Sequence, residues 1–179
     1  MMILRRTFLI GIVGLTVLLV APVVAKAENG EPLTDTQVAQ IRGRCTSIQV
    51  TLNRIHANDA LLRVNQGQLY DKLSTKLMAP FNSRLALNRL DGTDLVRATS
   101  NYEVHLASFR NTYQNYEQSL SAVLRSDCEN QPTTFYNLLE TARANRVKVK
   151  KSVNDLEKDI TSYGKALKEF TKPYNEGKL

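Results

Sequence analysis

The chain has 179 residues, of which 42% are hydrophobic and 23% charged, with 24 Lys and Arg against 17 Asp and Glu. This length allows one or at most two small domains, and the hydrophobic fraction is enough for a core, which excludes a disordered chain. The 8 Gly and 5 Pro exclude a collagen-like or linker-rich sequence.

The segment 1–27 has the pattern of a secretory signal peptide. Arg5 and Arg6 precede an uncharged apolar run at 7–24, and an A-x-A arrangement of small residues predicts cleavage after Ala27. We therefore expect an extracytoplasmic protein, which is periplasmic, envelope-associated or secreted. The alternative is an uncleaved membrane anchor, because the apolar run of 18 residues is at the lower edge of a spanning helix. Only this segment would then contact a membrane.

Cleavage leaves a mildly basic chain. Removal of residues 1–27 takes away three basic and no acidic side chains, so 21 basic side chains remain against 17 acidic ones, a net charge of +4. Nucleic-acid binding needs a concentrated basic face, and exported proteins rarely meet nucleic acid. We therefore expect no nucleic-acid partner.

The two cysteines, Cys45 and Cys128, predict a disulfide. After export both thiols meet an oxidising compartment, where pairing is the rule. A crosslink between positions 83 apart in the sequence would stabilise the fold by about 4 to 5 kcal/mol on the chain-entropy model. The alternative is two buried free thiols.

From Thr34 onward, apolar residues recur at spacings of three and four, which predicts a long first helix. Thr34 or Asp35 can cap its start. Pro80 is expected to kink or end it, because proline lacks an N–H group and its ring clashes with the preceding turn. The predicted heptad seam of this helix is Val38, Ile41, Cys45, Ile48, Leu52, Ile55, Leu62, Leu69 and Leu73.

Two further long helices follow. Asp91 and Gly92 form a turn signal before the second helix, and the third starts near Pro132 and stops near Pro173. The predicted fold class is therefore all-α: an elongated antiparallel three-helix bundle with coiled-coil-like packing, preceded by the signal peptide. A linker at 28–33, the bundle at 34–172 and a frayed tail at 173–179 complete the predicted organisation. The predicted seam of the second helix is Leu95, Thr99, Tyr102, Leu106, Phe109, Tyr113, Tyr116, Leu120 and Leu124.

Charged residues interrupt the seams at matching levels. If the two cysteines lie at one level, Asp59 of the first helix and Arg146 of the third meet in the bundle. We expect them to form a buried or half-buried ion pair, with the Tyr113 hydroxyl, Gln114 or His56 as a hydrogen-bond partner. Pairing removes most of the cost of a lone charge in a seam.

No arrangement of residues in the sequence indicates catalysis. His56 and His105 lie at different levels relative to the cysteines, so these four residues are not expected to converge on a metal. Asp155 and Asp159 share a helix face that is expected to be solvated surface. No hydrolase elbow, phosphate-binding loop or dinucleotide-binding turn occurs. We expect a protein that is not an enzyme, with no catalytic residue, metal or cofactor.

Two surfaces are candidates for binding. An apolar stripe on the first helix points away from the predicted seam and suggests a partner surface, although isolated exposed apolar residues are ordinary on soluble proteins. A basic stretch of the third helix suggests an anion-binding face, with plain solvated surface as the alternative. The apolar stripe is Val50, Ala57, Leu61 and Val64, and the basic face is Arg143, Lys148, Lys150 and Lys151.

These patterns favour a non-enzymatic, exported interaction or structural module with protein partners in the cell envelope. One alternative is an extracytoplasmic holdase-type chaperone that shields unfolded clients between helical arms. A second alternative is a binder of anionic wall polymer or lipid through the basic face. The salt dependence of binding separates the last reading from the first two.

Overall fold

The computed structural model describes residues 32–177, which form α-helices and contain no β-strand. The predicted all-α class is therefore confirmed. The predicted signal peptide 1–27 and positions 28–31 of the predicted linker lie outside the described residues. Among the helices of 32–177, none has both the length and the hydropathy of a membrane-spanning segment.

The first two helices follow each other almost without interruption. Helix α1 spans Asp35–Gly43 and helix α2 spans Cys45–Lys72, with Arg44 between them. Thr34 caps α1, because its hydroxyl oxygen accepts a hydrogen bond from the N–H of Gln37 at 3.3 Å. The Gln37 side chain accepts in turn from the Thr34 N–H at 2.8 Å. This reciprocal capping box satisfies two backbone donors that a helix start otherwise leaves unpaired.

A π-helical turn, Leu73–Met78, connects α2 to helix α3, Ala79–Leu87. The N–H of Ala79 bonds to the carbonyl oxygen of Ser74, five residues back. Pro80 follows directly, and in a regular α-helix its ring clashes with the carbonyl four residues earlier. The wider π turn relieves this crowding. The helical path therefore does not end at Pro80, where the sequence predicted a kink or an end.

The two longest helices pack against each other along their length. Helix α4 spans Thr93–Arg125 and helix α5 spans Pro132–Asn175, and the short connection 126–131 makes them antiparallel. Near the middle of the pair, the Thr112 and Ser152 hydroxyl oxygens lie 3.0 Å apart. The other helices pack against this pair: α2 and α3 contact α4, and α1 contacts α5.

The disulfide joins the start of α2 to the connection between α4 and α5. Cys45 and Cys128 are bonded, with Cα atoms 5.5 Å apart. Cys128 is fully buried and packs in a core cluster with Leu52, Leu120 and Phe135. The predicted crosslink therefore sits against the apolar interior at one end of the helices.

The seam of α4 follows its prediction closely. Seven of the nine predicted positions are buried, while Thr99 and Leu124 are half-buried. Their neighbours Ala98 and Val123 are buried instead. Val123 continues the alternating steps of three and four residues that lead from Tyr113 to Leu120, whereas the predicted Leu124 departs from them.

The predicted seam of the first helix is wrong at Leu62 and Leu69, although Leu73 packs against the core as predicted. Leu62 and Leu69 are exposed, whereas Tyr70 is buried. A straight α-helix drifts by about 20° per heptad, so a strict seven-residue pattern faces a partner only if the helix supercoils. Helix α2 therefore turns Leu62 and Leu69 out of the core, and Leu62 lines the side of α2 that borders α5.

Helix α5 extends slightly beyond the predicted end near Pro173. It ends at Asn175, so positions 173–175 of the predicted tail 173–179 are helical. Pro173 lies two residues before the end of α5, so the disruption that a proline causes is confined to the last turn of the helix.

Candidate interaction surface

Asp59 is the centre of a polar cluster between three helices. Its Oδ2 accepts a hydrogen bond from the Tyr116 hydroxyl at 2.6 Å, and its Oδ1 lies 3.3 Å from Arg146 Nη2. The Asp59 side chain is 14% exposed and that of Arg146 is 58% exposed. The structure thus brings together the two residues that the sequence paired across the bundle. The hydroxyl donor is Tyr116, one turn after the expected Tyr113.

Two of the remaining expected neighbours, His56 and Tyr113, form a second cluster with Glu117, whereas Gln114 lines the groove between α2 and α4. His56 Nε2 lies 2.5 Å from Glu117 Oε1, and the Tyr113 hydroxyl donates to Glu117 Oε2 at 3.4 Å. The Arg63 guanidinium sits 5.2 Å from the centre of the Tyr113 ring, in a cation–π contact. Burial, strengthened by the Glu117 carboxylate, raises the pKa of Tyr113 to about 12. The phenol therefore stays neutral, which suits a structural hydroxyl.

The two acidic residues of α5 that were expected on solvated surface have different environments. Asp155 is held by Lys151 at 2.6 Å and Lys158 at 3.3 Å, and these hydrogen bonds lower its pKa. Asp159 is buried, and its Oδ2 lies 2.5 Å from His105 Nδ1. The surface expectation was wrong for Asp159, because α4 presents a histidine at its level that offsets the cost of burial.

The polar clusters do not assemble a metal centre. Over residues 32–177, no group of three or more His, Cys, Asp or Glu side chains is placed to hold a metal ion. His56 and His105 each face a single carboxylate, as described above. Such pairs orient side chains between neighbouring helices.

The most unusual surface is the middle of α2. All residues from 61 to 69 are exposed except Gly67, which is half-buried. The predicted partner stripe Val50, Ala57, Leu61 and Val64 is exposed along its whole length. The large apolar side chains exposed within 61–69 are Leu61, Leu62, Val64 and Leu69.

Two open grooves flank this segment. The α2–α4 groove has a volume of about 650 Å³ and includes Val64, Gly67 and Arg110 in its lining. The α2–α5 groove has a volume of about 670 Å³ and lies above buried tyrosines of α4. The α2–α5 groove is lined by Asp59, Leu62, Arg63, Gln66 and Tyr70, by Phe109, Tyr113 and Tyr116, and by Arg143, Arg146, Val147, Val149, Lys150, Val153 and Glu157.

The predicted basic face is divided between two environments. Arg143 and Lys150 line the α2–α5 groove, whereas Lys148 and Lys151 do not. Lys148 donates to Asn145 at 3.2 Å, and Lys151 pairs with Asp155. Arg143 pairs with the neighbouring Glu140, and Lys150 has no hydrogen bond or ion pair within residues 32–177. Only part of the predicted basic face therefore borders the groove.

The exposed leucines of α2 could have indicated this groove, but a strict heptad assignment placed them in the core. Leu62 and Leu69 were assigned to the core, so no apolar residue remained for the side of α2 that faces α5. Allowing about 20° of drift per heptad moves both side chains out of the core.

Comparison with known proteins returned no similarity: no family model, curated protein or solved structure matches the chain.

Proposed function

We propose that this protein is an exported, non-enzymatic interaction module of the cell envelope, built as an elongated antiparallel three-helix bundle. It binds a protein partner through residues 61–69 of α2. One observation carries the proposal: four large apolar side chains are exposed within nine consecutive residues, between two open grooves.

This exposure is energetically unfavourable unless something covers it. Burying one Val or Leu side chain contributes about 1.5 to 3 kcal/mol. Single exposed apolar residues are common and need no explanation, but a contiguous patch with a polar rim is typical of a binding surface. Arg63 and Gln66, which lie among the apolar residues, supply such a rim.

Export is supported by the crosslink. Disulfides persist in oxidising compartments and are rare in the cytosol. Cys45 and Cys128 are bonded and the latter is fully buried, so the pair serves the fold and not redox chemistry at the surface.

The same crosslink disfavours the holdase alternative. A holdase that shields clients between its arms has to separate them, and the disulfide ties α2 to the end of α4. Binding of anionic polymer or lipid keeps some support, because Arg143 and Lys150 share one groove. That reading requires binding that weakens strongly as salt is raised, since exposed charges are screened beyond about 10 Å at 0.1 M salt.

The test uses two matched substitutions. Leu61 on α2 and Val104 on α4 are both 65% exposed, so an aspartate at either position costs the fold little. The protein and its partner are purified together from the envelope after chemical crosslinking. We expect Leu61→Asp to abolish recovery of one dominant partner and Val104→Asp to retain it. Equal recovery with both variants, or a broad spread of unfolded proteins, would contradict the proposal.

A further inference from the structure

We infer that the α2–α5 groove binds an acidic amphipathic α-helix of the partner protein, an inference that rests on the proposed function. The groove lies beside residues 61–69 and combines an aromatic floor, apolar walls and excess positive charge. Its dimensions, its charge and the chemistry of its walls each restrict what can occupy it.

The length of the groove fits a helix of three to four turns. On α2 it extends from Asp59 to Tyr70, and on α5 from Arg143 to Glu157. At 1.5 Å per residue these stretches measure about 16 and 21 Å, which correspond to about 11 to 14 residues of a helix lying alongside. The lining residues of α5 recur at spacings of three and four, so they form one continuous face.

The walls select a helix over an extended segment. An extended peptide needs hydrogen-bonding partners for its own N–H and C=O groups, as it finds at a sheet edge. All three sides of the groove are helices, whose backbone groups are already bonded within each helix. A helical occupant satisfies its backbone internally, and a fourth helix in this position would give the packing of a four-helix bundle.

The apolar part of the groove needs an apolar stripe on the occupant. Leu62 on one wall and Val147 on the other are exposed, and Val147 is 68% exposed although it lies beside the buried tyrosines. Residues at i, i+3, i+4 and i+7 of a partner helix would cover both walls at once. These contacts supply the affinity.

The charges that line the groove determine which charge the bound helix should carry. Four cationic side chains line it, Arg63, Arg143, Arg146 and Lys150, against the two carboxylates of Asp59 and Glu157. The Asp59 carboxylate is already engaged by Tyr116 and Arg146. Arg143 is likewise paired with Glu140. Arg63 and Lys150 then remain against Glu157, and this excess of one positive charge, with Lys150 unpaired among residues 32–177, favours Glu or Asp beside the apolar stripe.

The experiment measures binding of designed peptides to the full mature chain by fluorescence anisotropy. The probes are a 14-residue amphipathic helix with Leu on one face and Glu on its flanks, the same peptide with Lys in place of Glu, and a scrambled Glu peptide. We expect the Glu helix to bind about tenfold more tightly than the Lys helix, since each rim charge contributes a few tenths of a kcal/mol. The scrambled peptide should not bind.

Matched variants locate the binding. Lys150 lines the groove and Lys148 does not, so Lys150→Glu should weaken the Glu helix about fivefold or more and Lys148→Glu should leave it unchanged. Val147→Asp should abolish binding and Val104→Asp should retain it. Each pair compares residues of one type that are exposed, which controls for folding.

Three results would overturn the inference. The first is equal binding, or no binding, of the Glu and Lys helices. The second is Lys150-dependent binding of laurate or anionic vesicles without peptide binding, which assigns the groove to a lipid. The third is a dimer in sedimentation that Val147→Asp dissociates, which assigns it to a second copy. Loss of the partner on Leu61→Asp tests the proposed function separately, and it can hold when the peptides fail.

Discussion

At the scale of single residues, Asp59 connects three helices with one carboxylate. It lies on α2, accepts from Tyr116 of α4 and pairs with Arg146 of α5. The two contacts are unequal, because Tyr116 is buried and Arg146 is mostly exposed. A buried donor that loses its acceptor costs more than an exposed ion pair contributes.

The first prediction follows from this inequality. Asp59→Ala should lower the free energy of unfolding by about 2 kcal/mol, since the Tyr116 hydroxyl is left without its acceptor. Arg146→Ala should lower it by less than about 1 kcal/mol, as expected for an exposed pair. Urea unfolding followed by circular dichroism measures both. Equal losses, or a larger loss for Arg146→Ala, would contradict the assignment of Tyr116 as the main partner.

The second prediction concerns alkaline pH. Burial raises the pKa of Tyr102 and Tyr116 well above the ordinary value, and burial with the Glu117 charge raises the pKa of Tyr113 to about 12. The folded chain therefore keeps protons that the unfolded chain releases above about pH 10. The stability that these buried phenols contribute should be fully present below that pH, and the free energy of unfolding should fall steadily as the pH rises toward 12.

Thermal unfolding at closely spaced pH values measures this effect. Tyr113→Phe should make the decline shallower, because one buried phenol no longer titrates. Tyr174→Phe is the control, since Tyr174 is exposed near the end of α5 and its loss should leave the slope unchanged. A Tyr113→Phe slope equal to that of the wild type would show that this phenol does not contribute.

At the scale of elements, the π turn Leu73–Met78 allows α2 and α3 to face the same neighbour. Tyr70, Met78 and Leu85 are buried on one side, in the cluster that also contains α4 residues. In a regular α-helix of 3.6 residues per turn, side chains four residues apart are rotated slightly past one full turn. A wider π turn has more residues per turn and reverses this rotation. The turn thus keeps the contact surface continuous up to Pro80.

The third prediction is that the π turn tolerates the loss of one residue. Deleting the exposed Thr75 should convert the turn to regular helix and lower the free energy of unfolding by about 1 to 2 kcal/mol. Deleting the exposed Ser108 from α4 rotates everything beyond it by about 100° and should abolish cooperative unfolding. Thermal unfolding of both deletion variants is the measurement. Equal damage would show that the turn absorbs no extra residue.

The sequence predicted the buried positions of α4 more accurately than those of α2, and packing explains the difference. Helix α4 is covered on more than one side, so its apolar positions are dictated by burial and their spacing reveals the seam. Helix α2 is covered over only part of its length, and leucines at 62 and 69 continue a heptad that nothing in the described chain covers. A periodic pattern records which residues are apolar, but it does not record which surface covers each of them.

At the scale of the whole molecule, the disulfide closes a covalent loop that spans most of the described chain. It links positions separated by 83 residues, at the end of the molecule opposite the π turn. A crosslink of that span limits the unfolded chain more than the folded one. It therefore holds α2 beside α4 even where their contact is sparse, around the exposed segment 61–69.

The fourth prediction is that loss of the disulfide lowers the free energy of unfolding strongly. Removing the crosslink by Cys45→Ala with Cys128→Ala should lower the free energy of unfolding by about 4 to 5 kcal/mol. Urea unfolding with and without a reductant measures the same difference in the wild-type chain. The double variant should not respond to the reductant. A change below about 1 kcal/mol would show that the helices hold their register without the bond.

The all-α class, the disulfide pairing and the meeting of Asp59 with Arg146 follow from apolar spacing and from the positions of two cysteines. The π turn, the burial of Asp159 and the α2–α5 groove do not, because each depends on the exact rotation of one helix against another. The apolar face of a straight helix rotates by about 20° per heptad around the helix axis, which is small within one turn. After three heptads the accumulated rotation decides which side chains face a groove.

The most direct measurement is photocrosslinking in the cells that make the protein, with benzoylphenylalanine in place of Leu61 and, in a parallel strain, in place of Val104. The two positions are equally exposed, at 65%. A single discrete adduct from position 61 and none from position 104 is the predicted result. No adduct from position 61, or the same spread of adducts from both positions, would contradict the claim that residues 61–69 bind a specific partner.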